Sequence, residues 1–502
     1  MGRCAPPTKP ATADHMRLAW QQHIGNDARP TCEPFMTASI PPIGARRRTM
    51  RALSTACAAA VLGALALVAA PDVRAQAPSP VASSASTPAG SAPASDWRAL
   101  NRQAAVQAKA NDYAGLHDTL AQLAPLMPGS PTIAYDLAAT AARLGHVDEA
   151  LAQLKRLADA GLAYDLAKDD DFASLADRGA FRALRDALAS NGSQAVGSST
   201  RVLALSMADA LPESLAWDAP SKRLFVSSVR HCEIRVIDDP LGSHDGASAG
   251  RRFALLPASV FALGIDAPRH RLWATIASVA QADRCGEAPP ATERTALLAL
   301  DLDTGRVVQR IEARLPGVLG DMVVADDGTV IVTESTHGAV LRLRPGATAF
   351  ERIDAPGDFV SPQTPVLAPD GRVLLVPDFA RGIAAIELGQ CPCAPHWLSS
   401  APGVFTAGID GLVRDGATFV AVQNGSRPAR VIRLSADLER QQVLESGTPG
   451  FGEPTHGIVV GRSLWFISDV GWDRFDDNGK RKVGAPPSHP ELRALDLGAD
   501  MP

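Results

Sequence analysis

Two patterns of apolar residues divide this chain. Over residues 96–190 they recur at helical spacing. Leu100, Ala104, Ala105 and Ala108 share one face, as do Leu116, Leu120, Leu123 and Leu126. The stretch Pro131 to Leu144 predicts a helix that stops at Gly145, and Val147 to Ala160 predicts a second helix running back. Beyond residue 200 the helical period vanishes. Short apolar, β-branched runs replace it: Leu224–Val229, Val330–Thr333, Val373–Val376, Thr418–Val422 and Leu464–Ser468. Asp-Gly, Pro-Asp-Gly and Asn-Gly turns punctuate them, which predicts short antiparallel strands.

Aligning the strand region exposes a degenerate repeat. It starts at Leu211-Pro-Glu-Ser-Leu-Ala-Trp-Asp218 and recurs at Ala262-Leu-Gly-Ile-Asp266, Leu319–Asp326, Pro362–Asp370, Ile409–Val413 and Pro454–Val460. The copies are about 40–57 residues apart, the period of four-stranded propeller blades. Six copies predict an all-β, six-bladed β-propeller over 200–499, preceded by a small all-α helical-repeat domain over 96–190. The segment Glu491 to Leu497 is expected to close the ring beside Arg201 to Leu205, which would remove an open sheet edge. In the helical part, Tyr135-Asp-Leu-Ala-Ala-Thr-Ala-Ala-Arg-Leu-Gly145 followed by Asp148-Glu-Ala-Leu151 resembles a tetratricopeptide repeat, and Asp170 to Ala189 resembles a segment that caps such arrays. So short an array needs its neighbour or a partner to complete its core.

The N-terminal residues change the expected location. Arg46-Arg-Arg48 and Arg51 precede the small-apolar run Ala56 to Ala70, which ends at Val73-Arg-Ala75. A basic region, an apolar stretch and a small-residue cleavage site predict a signal peptide over 50–75 and a periplasmic or secreted protein with no membrane span after cleavage. An internal start at Met50 would put that signal at a normal N-terminus, so 1–49 reads as a non-native or disordered extension. Residues 76–95, mostly Ala, Pro and Ser, read as a linker. The formal net charge of −5 supplies no basic footprint and excludes nucleic acid as an expected partner. Cleavage would leave Cys232, Cys285, Cys391 and Cys393. Export permits disulfides, and Cys232 with Cys285 could staple neighbouring elements of the first two blades. The Cys391-Pro-Cys393 pair reads as a loop bridge or free thiols, too few for a zinc site.

Candidate chemistry follows from the blade geometry. The first strand of each blade lines the central channel, so its leading residue sits at the mouth. The repeat nominates Glu213, Gly264, Asp321, Gln363, Asp410 and His456. Converging oxygens are what a hard cation such as calcium requires. The alternative is a hydrated channel whose polar residues bond water and backbone. Trp465, Trp472 and Phe475 could wall a pocket or simply pack, and Asn424-Gly425 reads as a turn. No nucleophile elbow, phosphate loop or zinc-protease helix is present.

The strand region resembles the senescence-marker-protein/gluconolactonase family. Glu213-Ser-Leu-Ala-Trp217-Asp218 is similar to that family's opening Glu-Gly-Pro-x-Trp-Asp, and Asp410-Gly411 to its Asp-Gly. Leu319-Gly-Asp321 and Pro362-Gln363 stand where the family has ligand asparagines, so Gly320 and Gln363 are departures. The resemblance implies a divalent-metal site, with calcium the expected ion, held by Glu213, Asp410 and Gln363, with Asp321 or His456 as general base for hydrolysis of a lactone or related ester. The competing expectation is a non-catalytic propeller that binds a ligand or a protein, with the helical repeats as docking surface.

Overall fold

The computed structural model describes residues 96–242, 250–287, 295–389 and 394–498. The expected extension, signal peptide, linker and the Cys391/Cys393 pair lie outside these residues. Among them no helix is long and apolar enough to cross a membrane.

Five α-helices come first: α1 (Trp97–Ala110), α2 (Tyr113–Leu123), α3 (Pro131–Leu144), α4 (Val147–Asp159) and α5 (Gly179–Asn191). Asp96, Asp112 and Ser130 cap α1, α2 and α3 with side-chain oxygens. Gly145, at φ +79°, ends α3 in the left-handed region that glycine enters without strain. Alanines make α3 the centre of this domain: Ala134, Ala138, Ala139, Ala141 and Ala142 are all buried. Side chains this small let the flanking helices approach closely.

Six four-stranded antiparallel sheets follow. Their inner strands are Leu215–Asp218, Ser259–Asp266, Leu319–Val324, Val366–Leu367, Gly411–Asp415 and Gly457–Val460, for blades 1 to 6. Blade 6 is completed by the first strand of the propeller: Thr200–Ala204 pairs antiparallel with Glu491–Asp496. The ring is therefore shut by hydrogen bonds between its two ends.

The second strands of the blades are apolar on both faces because each is clamped between two neighbours. Leu224 and Val226 pack toward blade 6 with Trp465 and Ile467. Phe225, between them in sequence, packs toward blade 2 with Leu272 and Ile276. Val420 and Val422 likewise face blade 6, while Phe419 and Ala421 face blade 4. Hence the continuous apolar runs where a one-faced sheet would alternate. Each such aliphatic or aromatic side chain contributes about 1.5–3 kcal/mol on burial. The disulfide Cys232–Cys285 ties blade 1 to the connection between the second and third strands of blade 2.

The helices rest on the connections that deliver Gln363 and Asp410 to the channel. Arg98 donates to the carbonyls of Gly357 and Phe359. The amides of Thr406 and Ala407 donate to Gly129 O at 3.1 and 3.0 Å. The fully buried Arg430 donates to Ala160 O at 2.5 Å. A Cβ on Gly129 would sit 2.0 Å from Thr406 Oγ1, so this docking requires glycine there. Phe405 of the propeller belongs to the apolar core of the helical domain.

Candidate active site and metal centre

Residues at or near the heads of five inner strands converge as the repeat predicts. Glu213, Asp321, Gln363, Asp410 and His456 are all buried and line one cleft with about 540 Å³ of empty space, open mouth included. Blade 2 departs from the expectation. Gly264 lies within its inner strand, where a Cβ would strike Val324 and Met322 of blade 3. Phe261 takes the lining position instead, with Val279 and Gln281 beside it. The spacing held the signal: Glu213, Asp321 and Asp410 each precede an Asp by five residues, and the same interval back from Asp266 reaches Phe261.

The polar side chains form one network. His456 Nδ1 lies 2.5 Å from the Glu213 carbonyl oxygen, which can only accept, so Nδ1 carries a proton. Nε2 therefore faces Asp321 Oδ1, at 2.6 Å. This approach lies off the ring N–H direction and is an ion-pair contact, not an aligned hydrogen bond. Asp321 Oδ1 also accepts from Thr364 Oγ1 at 3.0 Å. Thr455 Oγ1 stands 2.7 Å from Glu213 Oε2 and 3.1 Å from Asp410 Oδ2. Trp472 Nε1 donates to Glu213 Oε1, and Asn424 Nδ2 donates to Asp410 Oδ2 at 2.7 Å. The Gln363 amide nitrogen is held by Ser361 O and Oγ.

Burial, reinforced by the charge of Asp410, pushes the Glu213 carboxyl up to about 8. Burial also raises Asp410, with Asp321 adding to the rise. For His456 burial alone would favour the neutral ring, but the charges of Asp321, Asp410 and Glu213 outweigh it and hold the imidazole well above its ordinary value. Thr455 has one hydroxyl proton and two carboxylate neighbours, so one contact needs a proton from a carboxyl. At neutral pH the raised Glu213 supplies it.

Once Glu213 gives up its raised proton, three carboxylates around a single imidazole leave negative charge that a divalent cation would neutralise, so such an ion would bind by displacing that proton. Ligand atoms of Glu213, Asp410 and His456 lie within 4.8 Å of one another. Ser335 Oγ, buried beside Gly320 on the cleft wall, has no hydrogen-bond partner among the described residues. This oxygen-rich set fits a hard divalent cation.

Several contributors escaped the sequence reading. Thr455 and Thr364 are parts of the network, and Asn424, which lies in the turn expected of Asn424-Gly425, joins it through its side chain. Trp472 does line the cleft, whereas Trp465 and Phe475 are packing residues of the seam between blades 6 and 1. Antiparallel pairing brings the residue just after a second strand beside the head of the inner strand, as Asp410 N donating to Val422 O illustrates. That rule would have pointed to Asn424. Glu453 is a further support. It accepts from the amides of Gly471 and Trp472 and so holds the loop bearing the indole. Burial, with Asp473 nearby, pushes its carboxyl up to about 7.

Fold and site together define a six-bladed propeller with a carboxylate–imidazole cluster at its channel mouth. No protein-family model matches the chain, and no curated protein matches it in sequence. Solved structures share its fold at low identity. A gluconolactonase from Xanthomonas campestris is 16% identical, with 60% of this chain and 90% of that one covered, at a TM-score of 0.39. A calcium-binding regucalcin from Agrobacterium tumefaciens strain C58 is 14% identical, with 60% and 95% covered, at 0.41. Virginiamycin B lyase from Staphylococcus aureus is 15% identical, with 54% and 81% covered, at 0.38.

Proposed function

We propose that the chain is an exported, calcium-dependent hydrolase of lactones or related esters, acting in the cleft at the channel mouth. One observation carries this: ionisable side chains from blades 1, 3, 5 and 6 meet in a single cleft that also has an apolar wall of Phe261, Val279, Val318 and Trp472. The wall suits a carbon skeleton and the ionisable groups suit hydrolytic chemistry. Glu213 and Asp410 are the carboxylate ligands, joined by the Gln363 amide oxygen. Bound there, a divalent cation supplies Lewis-acid polarisation of a carbonyl oxygen. Asp321 takes the proton that an attacking water releases and returns it to the leaving alkoxide, with the His456 imidazolium beside it stabilising the carboxylate. A lactone opens to a hydroxy acid, and an open-chain ester gives an acid and an alcohol. The Cys232–Cys285 disulfide supports export, since such bonds persist in oxidising compartments.

A non-catalytic, ligand-binding propeller is favoured by a different observation. Thr455, Trp472 and Asn424 already satisfy Glu213 and Asp410 without an ion. Calcium titration of the melting temperature separates the two. The hydrolase requires a rise in wild type, about 2.7 kcal/mol of added stability at a hundred times Kd, that is lost in Glu213→Gln. It also requires turnover within a panel of aldonolactones and aryl esters. Indifference to every divalent cation, or a shift that survives Glu213→Gln, sinks the hydrolase.

A further inference from the structure

The helical domain carries a second cluster of metal-binding side chains, on elements that share nothing with the channel. His117 lies on α2, and His146 and Glu149 lie at the start of α4. His117 Nε2 is 3.3 Å from Glu149 Oε1, and His146 Nδ1 is 3.7 Å from Glu149 Oε2. The two imidazoles meet edge to face with centroids 5.7 Å apart. One ligand atom from each of the three lies within 4.8 Å of the other two.

A buried hydroxyl orients the first histidine. Thr140 on α3 is fully buried, and its Oγ1 is 2.8 Å from Asp136 O and 3.1 Å from Leu137 O. Both carbonyls can only accept, so they take the one hydroxyl proton. The 2.9 Å contact between Thr140 Oγ1 and His117 Nδ1 is then donated by the ring. With its proton on Nδ1, the neutral imidazole turns the Nε2 lone pair toward the Glu149 carboxylate. Two acceptors at 3.3 Å repel unless positive charge lies between them. A proton would satisfy that one pair, but it gives no role to the second imidazole placed against the other oxygen of the same carboxylate. A metal ion uses all three.

We propose that His117, His146 and Glu149 bind a divalent transition-metal ion, zinc being the best match. Two imidazoles and one carboxylate are a borderline donor set, unlike the oxygen-rich channel. Tetrahedral zinc with bonds of about 2 Å spaces its donors roughly 3.3 Å apart, which the His117–Glu149 pair already meets. His146 and Glu149 are partly exposed and free to close the remaining gap. The Thr140 contact is the outer hydrogen bond that metal-binding imidazoles usually make. Three protein ligands leave a fourth position for water or an incoming side chain. The ion would staple α2 to α4 across α3.

Zinc titration calorimetry of the full chain carrying Glu213→Gln, which disables the channel cluster, tests this. One equivalent of zinc should bind. Affinity should fall at least tenfold in His146→Ala and Glu149→Gln, and about 10- to 100-fold in Thr140→Val. Cobalt should give visible d–d absorption bands that His146→Ala removes. His146 is exposed, so its loss tests the metal without threatening the fold. Zinc binding and cobalt bands unchanged in His146→Ala overturn the proposal.

Discussion

Asp321 heads blade 3 and His456 heads blade 6, yet Asp321 Oδ1 and His456 Nε2 lie 2.6 Å apart across the channel. Blades 3 and 6 are opposite each other in a ring of six, so this contact exists only because the ring closes. Its two members are the base of the proposed reaction and the imidazolium that stabilises it. Asp321→Asn should lower kcat on a responsive lactone about 100- to 10,000-fold, the usual contribution of a positioned base. The calcium-dependent rise in melting temperature should persist in this variant. Turnover and melting are measured on the same preparation; undiminished kcat would remove Asp321 from the mechanism.

The cation-free site should make the protein less stable as pH rises. Glu213, at about 8, and the raised Asp410 hold protons in the folded state that the unfolded chain releases at lower pH. His456, raised well above its ordinary value, also keeps its proton to higher pH when folded. All three contributions are present at low pH and are lost as pH rises through the folded-state values. In chelator, the melting temperature should therefore fall between about pH 5 and 9, and less steeply in Glu213→Gln. Calcium must displace the Glu213 proton, so its affinity should climb with pH through about 8. Equal slopes for wild type and Glu213→Gln in chelator would contradict the assignment.

Arg381 fastens the helices to blade 4. Its guanidinium sits 3.7 Å from the Trp397 ring centroid and 5.0 Å from that of Trp97, and it donates to Asp358 O at 2.8 Å and Leu126 O at 3.4 Å. Burial pulls its pKa down to about 10, still far above neutrality. Arg381→Ala should cost about 1–3 kcal/mol and uncouple the unfolding of helices and propeller. Calorimetry should resolve two transitions where wild type shows one. A single transition with unchanged midpoint would mean the interface is held elsewhere.

Local regularities made much of this protein legible. Turn residues, apolar runs and their repeat reveal strands and blades, because each blade is a consecutive meander whose period survives sequence drift. The same repeat placed Glu213, Asp321, Gln363, Asp410 and His456 at the mouth. It failed at blade 2, where aligning on Gly264 instead of counting back from Asp266 hid Phe261.

By itself, then, the sequence determined the strand pattern, the blade number and the type of side chain heading most inner strands. Those are properties of contiguous segments, set by side-chain periodicity and turn chemistry. Only the tertiary structure decided that Thr455 bridges Glu213 and Asp410, that Trp472 reaches Glu213, and that Asp321 pairs with His456. Each of these contacts joins different blades or loops, and its distance depends on ring closure and on rotamers that no linear spacing encodes.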